Sequence, residues 1–521
     1  MCGIKCGVST LIVGAVLVVA SCVISFVLVP YIIQNVIISE VVLRDDTIQM
    51  ERFELQPFPV NFTVRIFNLS NPNEVMNGNV PAVTEIGPYV YRLYQSRELL
   101  GKAGDTIRYK RREYFEFDPI SSYPNTEDDM VTIVNVPYHA IIQVAESSFP
   151  NLMSLLSMAM SGIFGEYNDP IATFKVRDLL FDGIPMCKNP GLVGGIACNI
   201  IKDIAAGAQN IDEEEDGSLT FSVLGYKEKY PSEEYEVLRG LNDPADLARI
   251  ISYAHSPHFT YWTNKDDNGV SSCNMINGTD AGIFAPFVDR NKHIYAINTD
   301  ICRSVELRYE ADTEYEGIPT IRFAANEWLL DNNEGCFCLN VTGGLNREDG
   351  CLFEGAMELY TCVGAFLVMS YPHFLFADTR YRDGVIGMRP DEENHKIFMD
   401  IEPNTGTPIR GAKRAQFNIF IRPVPGTAPT QNLRTSLVPF IWVNEDFTLP
   451  DEFVDELTNR LLNSLRLVDI FIPILIAVCC VVLVLGIGLT IRAKYRTVTK
   501  QVKQTESVHN SCKSIRFTCT P

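Results

Sequence analysis

The sequence predicts an α+β domain, dominated by antiparallel strands and held between two membrane-spanning helices. Three observations carry this reading: a charge-free apolar run near each end of the chain, period-two alternation in internal segments, and a helical recurrence of apolar residues between Ala140 and Phe164.

From Cys6 to Ser39 there is no Asp, Glu, Lys or Arg, and Val8–Val29 is almost wholly aliphatic. Ile470–Ile491 is charge-free over 22 residues. At about 1.5 Å rise per residue, roughly 20 residues cross a ~30 Å hydrocarbon core. A cleaved signal peptide has an apolar region of about 7–15 residues before a small-residue cleavage site. The first run exceeds that, so it reads as an uncleaved signal-anchor. The second has no apolar sequence after it to pack on, which argues against a core helix. Arg492, Lys494, Arg496, Lys500, Lys503, Lys513 and Arg516 follow the second run against the lone Glu506, and Lys5 precedes the first. Because cytoplasmic flanks collect Lys and Arg, the expected order is a cytoplasmic segment 1–7, spans 8–29 and 470–491, an extracellular domain 30–469 and a cytoplasmic tail 492–521.

Setting those eight cations and Glu506 aside from the 44 basic and 64 acidic residues leaves 36 against 63, a net charge of −27 outside the membrane. Nucleic acid is excluded as a partner, because neutralising phosphates needs clustered Lys and Arg. Eight cysteines fall in the outer domain: Cys187, Cys198, Cys273, Cys302, Cys336, Cys338, Cys351 and Cys362. An even number there implies a disulfide framework, although eight cysteines allow on the order of a hundred connectivities. Cys336-Phe-Cys338 lacks the spacing of a zinc pair. Four sequons, at Asn61, Asn68, Asn277 and Asn340, predict glycosylation. Cys2, Cys6, Cys479 and Cys480 lie in or beside the membrane and are candidates for palmitoylation or inert thiols.

Phe62, Val64 and Ile66 share one face of Asn61–Ser70, and Phe417, Ile419 and Ile421 repeat the pattern in Gln416–Arg422. Such alternation predicts half-buried antiparallel strands. Ala140–Phe164 predicts two short amphipathic helices broken near Pro150, with Pro244–Ala254 and Asp451–Leu467 as further helical pieces. Between Arg112 and Lys175, 62 residues pass without a Lys or Arg, and the stretch includes Met153, Met158 and Met160. Methionines at helical spacing serve as core filler or as an adaptable ligand surface. Leu152, Met153, Leu156 and Met160 are the candidate ligand entrance.

Catalysis finds no support. The chain has no nucleophile elbow, zinc-protease motif, phosphate loop or dinucleotide fingerprint. His255 and His258 sit in a packed-turn context beside Tyr253, Tyr261 and Trp262, and the acidic runs Glu127–Asp129 and Asp212–Asp216 lack the ligand spacing of a calcium loop. No enzyme, metal or cofactor is expected.

A longer pattern adds to these readings. Asn71-Pro72-Asn73-Glu74-Val75, Gly78, Pro81 and Glu85-Ile86-Gly87-Pro88-Tyr89-Val90-Tyr91 precede Cys336-Phe-Cys338, Pro372-His373-Phe374-Leu375, His395 and Asp400-Ile401-Glu402-Pro403 with Gly406, Lys413, Arg414 and Gln416. This set resembles the class B scavenger receptor family, which includes fatty acid translocase. Val176–Ile184, followed by Cys187 and Cys198, is most similar to its insect sensory neuron membrane protein branch.

The resemblance implies an irregular antiparallel β-barrel with a helical cap and an internal apolar tunnel. It also implies disulfides Cys273–Cys336, Cys302–Cys362 and Cys338–Cys351. Cys187–Cys198 is added from the isolation and spacing of that pair. The implied activity is capture of lipid-like odorants such as pheromones at the plasma membrane and their passage to the bilayer or to an odorant receptor, with odorant-binding proteins as further partners. The cation-free segment narrows the ligand to a neutral lipophilic molecule. A general scavenger or lipid-uptake receptor of the same family is the nearest alternative. A ligand-gated channel subunit is the alternative of another class, but Ile470–Ile491 offers few polar residues to line a water path. A trafficking receptor would need a tail sorting signal, for which only Tyr495–Val498 qualifies, close to the membrane.

Overall fold

The computed structural model describes residues 4–205, 208–262, 271–332 and 336–515. They fall into two compact units, Val41–Pro450 and a second made from the two chain ends, Met1–Glu40 and Asp451–Pro521.

The first unit is built on a 13-stranded antiparallel sheet. Its path runs from Ile250–Tyr253 through Tyr235–Leu238, Thr106–Phe117, Val83–Ala103 and Val60–Leu69 to Ser436–Thr448. It continues through Pro408–Ile421, Ile397–Ile401, Ile318–Ala325 and Arg303–Tyr315 to Ile294–Asn298. Leu367–Ser370 adds to Pro408–Ile421, and Ala356–Glu358 adds to it in turn. The expected barrel is therefore corrected to an open sheet. Closing a barrel needs a continuous ladder between the end strands, and here they do not pair. Instead the Ile250 N–H donates to the Gly278 carbonyl, while Thr279 exchanges hydrogen bonds with Tyr295 and Ile297 on the opposite edge. Gly278 has φ +85°, and a Cβ there would lie 1.8 Å from the Tyr295 oxygen. A short bridge thus covers two edges that would otherwise be free to pair with other chains.

Phe62, Val64 and Ile66 are buried as their alternation predicts, but Pro408–Ile421 is buried on both faces. Its nominally polar face is satisfied internally. Gln416 Nε2 donates to Asn418 Oδ1 at 2.8 Å, Asn418 Nδ2 to the Val368 carbonyl at 2.9 Å, and the His373 N–H to Gln416 Oε1 at 2.6 Å. Buried polar groups are tolerated where they are paired in this way. Buried acids follow the same rule. Asp400 meets Arg322 through two bonds of 2.6 and 2.7 Å and Arg410 at 2.9 Å. Glu358 accepts four consecutive backbone N–H groups, from Leu339 to Thr342, at 2.8–3.3 Å. In the first unit four disulfides join described residues, Cys187–Cys198, Cys273–Cys336, Cys302–Cys362 and Cys338–Cys351. Of the other expected helical pieces, Pro244–Ala254 becomes a single turn at Pro244–Asp246 and then the edge strand Ile250–Tyr253. Asp451–Leu467 is helical and continues into the long C-terminal helix.

Motif residues far apart in sequence converge on Glu85. His373 Nε2 reaches its carboxylate at 2.5 Å and Trp442 Nε1 donates to it at 3.0 Å, while the His395 ring stacks on His373 at 4.7 Å. Each imidazole accepts a backbone N–H at Nδ1, from Arg389 and Asp391 respectively. A ring whose Nδ1 accepts in this way carries its proton on Nε2.

The second unit contains two long apolar helices, Ile4–Val41 and Asp451–Val508, that enclose the expected spans. Gly7, Gly14 and Ser21 are buried at a spacing of seven, and Cys479 and Gly486 repeat that spacing on the partner helix. A Cβ on Gly14 would lie 2.6 Å from Leu483 Cα, and one on Gly486 2.6 Å from Leu11 N. Most large apolar side chains on both helices face outward, among them Val16 and Phe26. In lipid, where apolar burial between helices gains little, small residues permit close backbone packing. We expect Gly14→Leu to separate the helices, and a marked fall in the yield of an engineered inter-helix cysteine cross-link in membranes checks it.

Acid should loosen the first unit. Burial, the main cause, holds His395 and His139 well below the ordinary imidazole value of 6.5, at about 4. The unfolded chain then binds protons that the folded one refuses, so stability is lost as pH falls from 6.5 towards 4. The loss is on the order of 2 kcal/mol per residue by pH 5. The melting temperature at pH 5 should lie below that at pH 7, with a smaller difference in His139→Gln.

Candidate functional site

The candidate site is an apolar cavity among three helices of the first unit. The helix Val136–Ser148 begins where Asn135 Oδ1 accepts the Tyr138 N–H at 3.3 Å, with a proline in its first turn. One face, with Tyr138, Ile142 and Gln143, is buried in the domain. The other presents Pro137, Ala140, Ile141, Val144 and Ala145 to the cavity. Pro150 ends this helix pair as expected, and Met153–Phe164 follows. The third helix, Gly191–Ala205, contributes Val193, Ile196, Ala197, Ile200, Ile201 and Ile204, an unbroken i, i+3, i+4 stripe.

The second and third helices touch where neither has a side chain. A Cβ on Gly162 would lie 2.3 Å from the Pro190 carbonyl oxygen and 3.1 Å from Gly194 Cα. The Cys187 N–H donates to the Ile163 carbonyl at 2.6 Å, and the Cys187–Cys198 disulfide ties that point to the third helix. Val363–Leu367, Ile211 and Phe221 complete the walls.

The cavity is partly open to solvent. Among the described residues twenty-four line it, none is charged, and Asn210 supplies the single polar side chain. Nearby cations are held in ion pairs: Arg422 with Glu146, and Lys202 with Glu213 at 2.7 Å. Leu152, Leu155, Met158, Leu192 and Ile196 form an exposed apolar rim, with Leu192 85% exposed.

Of the residues named from sequence, Leu152 and Leu156 line the cavity. Met153 and Met160 instead point into the main core, 4% and 2% exposed. They pack in the main hydrophobic cluster, so of the four candidate entrance residues Leu152 and Leu156 are the two at the cavity wall. The third helix was not predicted. Its Val193–Ile204 stripe was the available signal, masked by Gly191, Gly194 and Gly195, each of which weakens a helix by about 1 kcal/mol. Asn61 and Asn340 are exposed, and Asn68 and Asn277 half-buried. Cys6 is disulfide-bonded, Cys479 is a buried free thiol and Cys480 an exposed one. Cys2 lies outside the described residues. Among the described residues no cluster of His, Cys, Asp or Glu could hold a metal ion.

Comparison with known proteins agrees with this architecture. The CD36 family model matches residues 12–490. Sensory neuron membrane protein 2 of Drosophila melanogaster is 34% identical over 479 residues, covering 81% of this chain and 86% of that protein. Its Aedes aegypti namesake is 32% identical, covering 81% and 87%. Sensory neuron membrane protein 1 of Pediculus humanus subsp. corporis is 31% identical, covering 81% and 79%. With two apolar helices, four disulfides and a large ectodomain, the chain is a membrane receptor of the CD36 family.

Proposed function

We propose that the ectodomain captures a small neutral lipophilic molecule, of the kind used as an odorant or pheromone, in the three-helix cavity and passes it towards the membrane. The observation that carries this reading is the lining, apolar but for one amide and without a charge. Removing a methylene from water is favourable by about 0.8 kcal/mol, so a long chain is held strongly by such walls. An ionised carboxylate is not, because burying a charge without a partner costs several kcal/mol. The exposed rim of leucine, isoleucine and methionine supplies an adaptable entrance, with Leu152 and Leu156 at the cavity wall.

In this reading an internal apolar passage leads to the bilayer, and the helices near the chain ends hold the receptor in the plasma membrane with both termini cytoplasmic. The basic residues flanking both helices support that orientation. Asn61, Asn68, Asn277 and Asn340 carry glycans on the outer face, and Cys480, a free and exposed thiol, is a site for acylation. An odorant receptor in the same membrane is the recipient, and odorant-binding proteins are the suppliers. The names of the similar proteins, which refer to sensory neurons, favour this over general lipid uptake.

A matched pair of a long-chain ester and its free acid tests the neutral preference. At pH 7 the ester should bind roughly 10-fold or more tightly than the acid. Tighter binding of the acid, measured by displacement of a fluorescent lipid, would overturn it. Ile200→Asp, which places a charge in the wall, should weaken ester binding by a similar factor with the melting curve unchanged.

A further inference from the structure

The cavity's one polar side chain is held in a single orientation. Asn210 Nδ2 donates to the carbonyls of Ser222 and Val223 at 3.0 and 2.9 Å. The Ser222 N–H returns a bond of 3.1 Å to the Asn210 carbonyl. Flipping the amide would turn Oδ1 towards two carbonyl oxygens, so the network assigns the amide. Both amide hydrogens are therefore engaged, and among the described residues no group donates a hydrogen bond to Oδ1. The side chain is half-buried among the lining residues, between Ala208 and Ile211. An amide oxygen accepts hydrogen bonds and cannot donate them.

We infer that Asn210 Oδ1 is the polar contact of the bound molecule, and that it selects a lipophile ending in a hydrogen-bond donor. A long-chain alcohol meets this condition. An ester, aldehyde or ether of the same chain would set oxygen lone pairs against those of Oδ1. An ionised fatty acid would do so with a full negative charge. The inference rests on the cavity being the lipophile site, and it narrows the class of neutral ligand from any uncharged head group to a hydroxyl. Asn210 acts as a specificity-determining residue: the apolar walls hold the chain, and the amide oxygen chooses its end.

The full chain in lipid nanodiscs, with hexadecanol, its methyl ether and hexadecyl acetate as displacing probes, provides the test. Affinities are taken relative to each probe's partition into empty nanodiscs, which removes differences in bulk hydrophobicity. Hexadecanol should bind roughly 3- to 10-fold more tightly than the ether or the acetate, the value of one net hydrogen bond. In Asn210→Leu the three should converge through loss of alcohol affinity while the ether keeps its own. Equal binding, or preference for the ether or acetate by the unaltered protein, overturns the inference and leaves the cavity reading intact. A preference for alcohol that survives in Asn210→Leu overturns the assignment to this residue. Failure of all three probes to bind overturns the cavity reading itself. The comparison in the unaltered protein needs no variant, so misfolding of Asn210→Leu does not remove the test.

Discussion

Gly162 and Gly194 let the second and third helices approach until backbone meets backbone, and the apolar cavity depends on that contact. With any side chain at Gly162 the Pro190 carbonyl, 2.3 Å from the added Cβ, would have to move. The third helix would then lift from the second and take its isoleucine stripe with it. The disulfide Cys187–Cys198 holds the same place by a covalent route. Closing a loop of this length typically contributes about 2–4 kcal/mol, mainly by restricting the unfolded chain. The third helix is thereby fixed through Cys198, and its Val193–Ile204 stripe faces the cavity.

Charge is distributed in the opposite way. An ectodomain with a net charge of −27 must place many acids, and Asp280, Asp400 and Glu358 are buried beside local partners. Asp280 has Arg97 at 2.6 Å and the Tyr109 hydroxyl at 3.0 Å. Burial alone would raise its carboxyl, but the Arg97 guanidinium holds it at about 2. Asp400 has two arginines, and Glu358 has four amides. Around the cavity the cations Arg422 and Lys202 are drawn off by Glu146 and Glu213, leaving walls without a charge. Structural acids can thus coexist with an apolar binding space only tens of residues away in sequence.

The strands and the first two helices were legible because their signals are local. Phe62, Val64 and Ile66 alternate as a strand must, and Pro150 breaks a helical run where its ring prevents continuation. Other features depended on distant partners. Gln416 and Asn418 read as a solvent face and are buried, because Leu367–Ser370 lies alongside and supplies Ser370 and Val368 as partners. Met153 and Met160 read as a ligand surface and are core, because only one face of an apolar-rich helix can turn outward. Leu152 and Leu156 lie on the other.

The sequence by itself determined the two apolar anchors, the strand-rich ectodomain and, through the motif from Asn71 to Gln416, the family. Each is set by composition, by period or by residue identity along the chain. Tertiary structure alone decided that the sheet stays open with Gly278 bridging its edges, that Gly191–Ala205 closes the cavity, and that the amide nitrogen of Asn210, a residue of the cavity wall, is taken up by two carbonyls. These outcomes turn on which groups from remote segments meet, and an amide's free atom is known only once the carbonyls that engage its other end are in place.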